Sequence, residues 1–287
     1  IIRVPEFPKA NFSAPINDMK TFNGGAAANV ALVGANLGLK TSLVSAVGGD
    51  FKKSNYYEIM ESLDVDTDSL IIVPGETSPT AFVLTDENDD QISYFYWGAA
   101  KEFASSKVPK NAISNVQAVH LATGDPHFNW KCSEEAKRQE LLVSFDPGQD
   151  LGMYDTDKLR DVITNTTILF GNHYEIERIL ESLEVDLDGL REIGPKIIVK
   201  TCGANGSEIY SNNDKIKVDA IVREAVDPTG AGDSYRAGFL SRFLNGESLE
   251  QSAKFASSVS SFIVEEQGCQ TNMPTFDDAF DRMSEFY

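Results

Sequence analysis

Helical and extended patterns alternate along most of this chain, and that alternation restricts the folds open to it more than any other feature. Helix-period runs occupy 26–37, 55–63, 129–138, 156–164, 172–183, 230–244 and 248–264. Short β-rich runs occur at 42–47, 118–122, 141–145, 168–170 and 197–200. Strands alternating with helices predict βαβ units, hence a mainly parallel sheet covered by helices on both faces. Ligands of such folds collect outside the carboxyl ends of the strands. One region breaks the rhythm. Residues 80–85 and 91–97 alternate in polarity around Asp86-Glu87-Asn88-Asp89-Asp90, which reads as a hairpin. Residues 1–21 and 71–73 are also extended in character. The expected organisation is an α/β core over 22–70 and 101–287, with a small β lid over 1–21 and 71–100. Phe82, Phe95 and Trp97 are expected to give that lid an apolar inner face.

The chemistry concentrates in Asp227-Pro228-Thr229-Gly230-Ala231-Gly232-Asp233, which stands directly before an apolar-periodic run. Small residues let a backbone approach a ligand closely, and the N–H groups that open a helix are free to bind an anion. The helix dipole adds about half a positive charge there. Asp233 projects a carboxylate beside that site. The pairing suits proton abstraction from a hydroxyl while the amides around Gly230, Ala231 and Gly232 stabilise a phosphoryl group in transfer.

Composition narrows the partners. With a net charge of −19 and a pI near 4.5, the chain lacks the positive footprint that nucleic acids and anionic membranes require. Charge on a small nucleotide can still be met locally by amides and Mg²⁺. No apolar run is long enough to span a bilayer, and no secretory leader is visible. Cys132, Cys202 and Cys269 are too few and too scattered for a disulfide framework or a CxxC metal site, so a reducing, cytoplasmic setting is expected. A Walker A string is absent, and so is the Gly-x-Gly-x-x-Gly unit that a nicotinamide dehydrogenase needs.

On the Asp227–Asp233 string the chain resembles the ribokinase-like, or pfkB, carbohydrate kinase family over essentially its whole length. That resemblance implies a three-layer αβα core and a β-sheet lid, with Asp233 as the base and Gly230-Ala231-Gly232 as the anion hole. The family's early glycine signature matches Gly24-Gly25-Ala26-Ala27-Ala28-Asn29, which assigns Gly24, Gly25 and Asn29 to the acceptor's hydroxyls. Asn172-His173-Tyr174-Glu175 matches its Asn-x-x-Glu mark, which holds Mg²⁺ through water and lies by the nucleotide. The same four residues also suit a plain helix cap. Lys200-Thr201-Cys202-Gly203-Ala204-Asn205-Gly206 matches the loop that follows the ATP phosphates and ribose, which assigns Lys200, Thr201, Gly203 and Gly206 to nucleotide binding. Asp227 falls in the region that helps some members bind K⁺. Members also carry an early strand with a substrate-binding Asp, expected ahead of Ile1; Asp18 does not match it. Lids of the family often pair, which implies a homodimer.

The strings Trp97–Lys101, His120–Pro126, Ser144–Asp150 and Gly268–Asn272 look like those of the archaeal nucleoside kinases. The resemblance implies transfer from MgATP to the 5′ hydroxyl of a nucleoside. A ribokinase- or fructokinase-type sugar kinase is the alternative, followed by a nucleotide-binding homologue without catalysis. Arg236 follows Asp233 by three residues, so a helix-face ion pair between them is expected.

Overall fold

A computed structural model describes residues 1–88, 90–211 and 214–287. Asp89, within the expected hairpin turn, lies outside the described residues. Two short strands come first, β1 (Ile2–Arg3) and β2 (Asp18–Met19), then α1 (Ala26–Asn36), β3 (Ala46–Gly48), α2 (Asn55–Ser62) and β4 (Ile71–Val73). The hairpin follows as β5 (Thr80–Thr85) and β6 (Gln91–Tyr96). Next come α3 (Lys110–Ile113), β7 (Ala118–Leu121), α4 (Pro126–Arg138), β8 (Leu142–Phe145), α5 (Thr156–Asn165), β9 (Ile168–Asn172), α6 (His173–Leu183), α7 (Leu187–Ile193) and β10 (Ile197–Thr201). An antiparallel pair, β11 (Ser207–Ser211) and β12 (Asp214–Val218), precedes the closing helices α8 (Ala231–Phe243), α9 (Leu249–Ile263) and α10 (Phe276–Phe286).

The main sheet has the order β12-β11-β10-β9-β8-β7, and β7 to β10 run parallel. Strand alternation sorts the core into two layers. Leu169 and Ile198 pack with α4, α5, α6 and α7 on one face, whereas Ile168, Phe170, Ile197 and Val199 pack with α8 and α9 on the other. Burying both faces is what makes these strands continuous apolar runs. Helix α1 joins α8, α9 and α10 through Val30, Val33, Ala237, Phe255 and Val259, and this packing ties the first glycine signature to the last.

The lid sheet has the order β2-β1-β5-β6. Strand β4, expected with the lid, pairs instead with β3 in a separate parallel ladder. Phe82 and Phe95 do not share a face. Phe82 lies opposite Tyr94, and Phe95 lies opposite Ala81 with its ring against Trp97 at 5.0 Å. Register decides this, because neighbouring positions on a strand point to opposite sides. A further feature sits in the core layer. The free edge of β7 and residues 38–44 face one another across a cavity of about 720 Å³, roofed by α1, α4 and α8 side chains. Thr41 Oγ1, Ser42 Oγ and His120 Nε2, on residues lining it, are buried without hydrogen-bond partners.

All three cysteines are free thiols. Among the described residues, no helix is long and apolar enough to cross a membrane.

Candidate active site

Gly230 forms the N-cap of α8 in a left-handed conformation, φ 83°. Only glycine enters that region without steric penalty. A side chain there would also start 2.7 Å from Cys269 Cβ, so two loops meet at this point. Asp227 braces them: its Oδ1 accepts the Thr229 N–H and its Oδ2 the Gly268 N–H, both at 3.0 Å. The Ala231 N–H turns back to Pro228 O at 3.2 Å. Among the described residues, the N–H groups of Gly232 and Asp233 make no hydrogen bond. The anion-binding capacity of the turn therefore resides in those two amides, and the amide expected from Ala231 is already engaged.

Asp233 stands in the first turn of α8 with a side chain 20% exposed. Burial pushes its pKa up to about 6, opposed by the Asn29 hydrogen bond and reinforced by the charge of Glu175. A carboxylate poised near neutrality suits general-base work. Asn29 Nδ2 donates to Asp233 Oδ2 at 2.8 Å, across 204 positions of sequence. Gln270 Nε2 donates to Asn29 Oδ1 and to Tyr56 Oη, each at 2.7 Å, and Tyr56 Oη donates to Gly24 O at 3.0 Å. Burial raises the Tyr56 pKa, so its phenol stays protonated and can make that donation. One polar chain thus runs from Gly24 to Asp233. It joins the acceptor residues expected from the first signature to the carboxylate expected from the last. Gly25 caps α1 at φ 103°.

The expected nucleotide side lies at the carboxyl ends of β9 and β10, where the ladder sets Asn172 directly beside Thr201. Asn172 and Glu175 form a reciprocal capping box on α6: Glu175 N–H to Asn172 Oδ1 at 2.9 Å, and Asn172 N–H to Glu175 Oε2 at 2.7 Å. Burial raises the Glu175 pKa against the help of the Asn172 amide. Glu175 pairs with no cation among the described residues, and its second oxygen remains available. Such hard oxygen donors fit outer-sphere retention of Mg²⁺. Beyond β10, Gly203 and Gly206 take φ 55° and 84° around a single 3₁₀ turn. Lys200 is not delivered as a free cation. Its ammonium pairs with Glu208 on β11 at 2.7 Å, and Lys215 pairs with the same carboxylate at 2.6 Å.

Comparison with known proteins identifies the family and the fold. The model of the pfkB family carbohydrate kinases matches residues 1–276. The chain belongs to the pfkB carbohydrate kinase family. Among its curated relatives is the nucleoside kinase of Methanothermobacter thermautotrophicus, 56% identical over 99% of this chain and 92% of that one. The nucleoside kinase of Methanocaldococcus jannaschii is 42% identical over the same shares. The crystal structure of the latter superposes with a TM-score of 0.95 at 41% identity, covering 99% of this chain and 94% of that one. The ribokinase-like three-layer fold is shared with Thermotoga maritima ribokinase, TM-score 0.87 at 23% identity, covering 99% of this chain and 95% of that one.

In this pfkB member the structure adds residues for which sequence reasoning gives no role. Tyr56 and Gln270 link the two signatures, and Asp146 lies behind α8. Arg236 makes the expected helix-face pair with Asp233 at 3.9 Å and also pairs, more closely, with Asp146. The string containing Gln270 stands out as a resemblance, yet nothing in its spacing says which side chain turns inward. Tyr56 sits in an ordinary amphipathic run and carries no visible signal.

Proposed function

We propose that this protein transfers the γ-phosphoryl group of ATP to the 5′ hydroxyl of a nucleoside. The observation that carries this reading is a proton-avid carboxylate, Asp233, beside two unengaged amides at a helix N-terminus. The nucleoside assignment is supported by the two archaeal relatives named nucleoside kinases. In the reaction the acceptor oxygen attacks the γ-phosphorus, its proton passes to Asp233, and the bond to the β-phosphate oxygen breaks to release ADP. The transition state is loose, so positioning counts for more than early deprotonation. The Gly232 and Asp233 amides face the charge on the transferred group, and losing one such donor is worth about 3–4 kcal/mol in comparable sites. Asn29 orients the carboxylate and, with Gly24 and Gly25, meets the ribose hydroxyls.

Asn172 and Glu175 are the residues that would hold Mg²⁺ through water, where it would neutralise charge on the phosphates. Thr201, Gly203 and Gly206 form the nucleotide's bed, with Lys200 acting as an anchor of the sheet beneath. Asp227 is read as a loop brace. Both its oxygens are engaged by amides, which gives the K⁺ suggested by the resemblance no further support.

Exposed Phe82, Tyr94 and Phe95 occupy both faces of the lid sheet, which suits one face over the acceptor and the other against a second copy.

An acceptor panel tests the reading. Inosine, cytidine, guanosine and adenosine are expected to give kcat/KM values above those for ribose and fructose by about a hundredfold, which corresponds to about 3 kcal/mol. Faster turnover of a free sugar favours the sugar kinase, and ATP binding without transfer to any acceptor favours a silent homologue. The lid gives a second expectation. Deleting its hairpin, residues 80–96, raises acceptor-independent ATP hydrolysis or abolishes acceptor binding, because closure excludes water. Unchanged steady-state kinetics in that variant count against the lid.

A further inference from the structure

The ion pair behind α8 belongs to neither glycine signature, and its geometry gives it a task. Arg236 is 7% exposed and Asp146 5% exposed, so both charges are held out of water. Side chains on a helix lean toward its N-terminus, which carries the Arg236 guanidinium back along the first turn. There its Nη1 lies 2.3 Å from where a Gly232 side chain would begin. The bare Cα of Gly232 is therefore what lets a guanidinium rest against the anion-binding turn. From that position Arg236 stands 3.9 Å from Asp233 Oδ1, while its Nε side meets Asp146 at the end of β8. The other oxygen of Asp146 accepts the Gly148 N–H at 2.9 Å, which fixes the carboxylate on the sheet.

We infer that Arg236, tethered by Asp146, is a positioning residue that sets the charge and orientation of Asp233. The inference rests on the reading of Asp233 as the base. Arginine is the side chain for such a place, since it stays charged when buried and holds two partners in one plane. Burial lowers its pKa only to about 10, so it remains a cation throughout the working range. The groups facing Asp233 from the surrounding elements are otherwise neutral or acidic. They are Asn29 on α1, Tyr56 on α2, Glu175 on α6, and Cys269 on the closing loop. His120 on β7 stays neutral, held near a pKa of about 3 by burial and by Arg236 itself. Among the described residues, no other cation pairs with Asp233 or Asp146.

The tether has a directional consequence. While Asp146 holds the guanidinium, Asp233 feels a cation without being capped by it, and its Oδ1 stays open to a hydroxyl. Freed from Asp146, Arg236 closes on Asp233 and competes with the acceptor. Removed altogether, it leaves Asp233 among acids.

The pH profile of kcat at saturating ATP and nucleoside separates these states. D146N is expected to move the acid limb to lower pH and to reduce kcat about tenfold, with the KM for ATP little changed. D146N/R236Q, in which the buried pair is neutral on both sides, is expected to move the limb to higher pH by about one unit. R236K keeps the charge and is expected to hold its limb closer to wild type than R236Q does. The double variant decides the matter where D146N fails to fold, because it leaves no unpaired buried charge. Folded variants whose acid limbs all coincide with wild type overturn the inference and leave a purely structural pair. An active D233N would instead remove the base itself, so the two failures are distinguishable.

Discussion

Replacing Asp233 with Asn is expected to lower kcat by about a hundredfold or more while raising the melting temperature of the unliganded protein. Both effects come from one property of the site. The carboxylate is pushed up to about 6 chiefly by burial, so the folded protein binds that proton more tightly than the unfolded chain does. The resulting stability is fully present below the ordinary Asp value near 4 and is lost as pH rises through about 6. At pH 7 the ionised group therefore costs about 2 kcal/mol, allowing for its partial exposure. Asn at this position keeps the hydrogen bond to Asn29 through its amide oxygen and carries no charge to desolvate. Thermal melts at pH 7 should show D233N several degrees above wild type, and the gap should close toward pH 4. Wild-type turnover in D233N refutes the base. Equal melting at pH 7 refutes the account of its environment.

Much of the fold is legible in the sequence because both faces of the sheet are buried. Runs such as 168–170 and 197–199 have no polar side to confuse the pattern, and α9 carries a long apolar stripe. The antiparallel pair β11 and β12 is not legible: in Glu208, Lys215 and Lys217 its outer positions are charged, and the run reads as a polar loop. Helix α10 is hidden because Asp277, Asp278, Asp281 and Glu285 dilute its periodicity, although Thr275 and Asp278 form a capping box at its start. Strand β4 departs from the expected ladder because three extended residues carry no signal of which partner they choose. In the site, motifs locate the loops but not the links between them. Asn29 and Asp233 each stand out locally, whereas the Gln270 and Tyr56 links depend on how distant loops fold together. Lys200 shows the converse. Its position beside a glycine loop suggests phosphate binding, but its neighbour across the ladder is an acid, and the nearer charge wins.

Substituting Gly230 with Ala tests the architecture of the turn rather than its chemistry, and it is expected to abolish both activity and part of the stability. An L-residue at φ 83° costs about 1–2 kcal/mol in backbone strain alone. The new methyl would also begin 2.7 Å from Cys269 Cβ and 3.0 Å from its Cα, so backbone, not merely a flexible tip, must move. The displaced segment is the one that donates Gly268 N–H to Asp227 and Gln270 Nε2 to Asn29. Pushing it away loosens the brace under the amides and the chain that orients Asp233 together. Loss of one amide donor already implies about a hundredfold or more in kcat, and a lower melting temperature should accompany it. Cys269→Ala added to G230A should not restore activity, because the Cβ that clashes is still there. Cys269→Gly should restore only a part, since the backbone of residue 269 would still lie 3.0 Å from the new methyl. G230A with wild-type kcat would show that the turn tolerates a side chain and that its amides are not held for a phosphoryl group. The contrast with D233N is the diagnostic one: the acid's replacement yields a dead but firmer protein, whereas the glycine's yields a dead and weaker one.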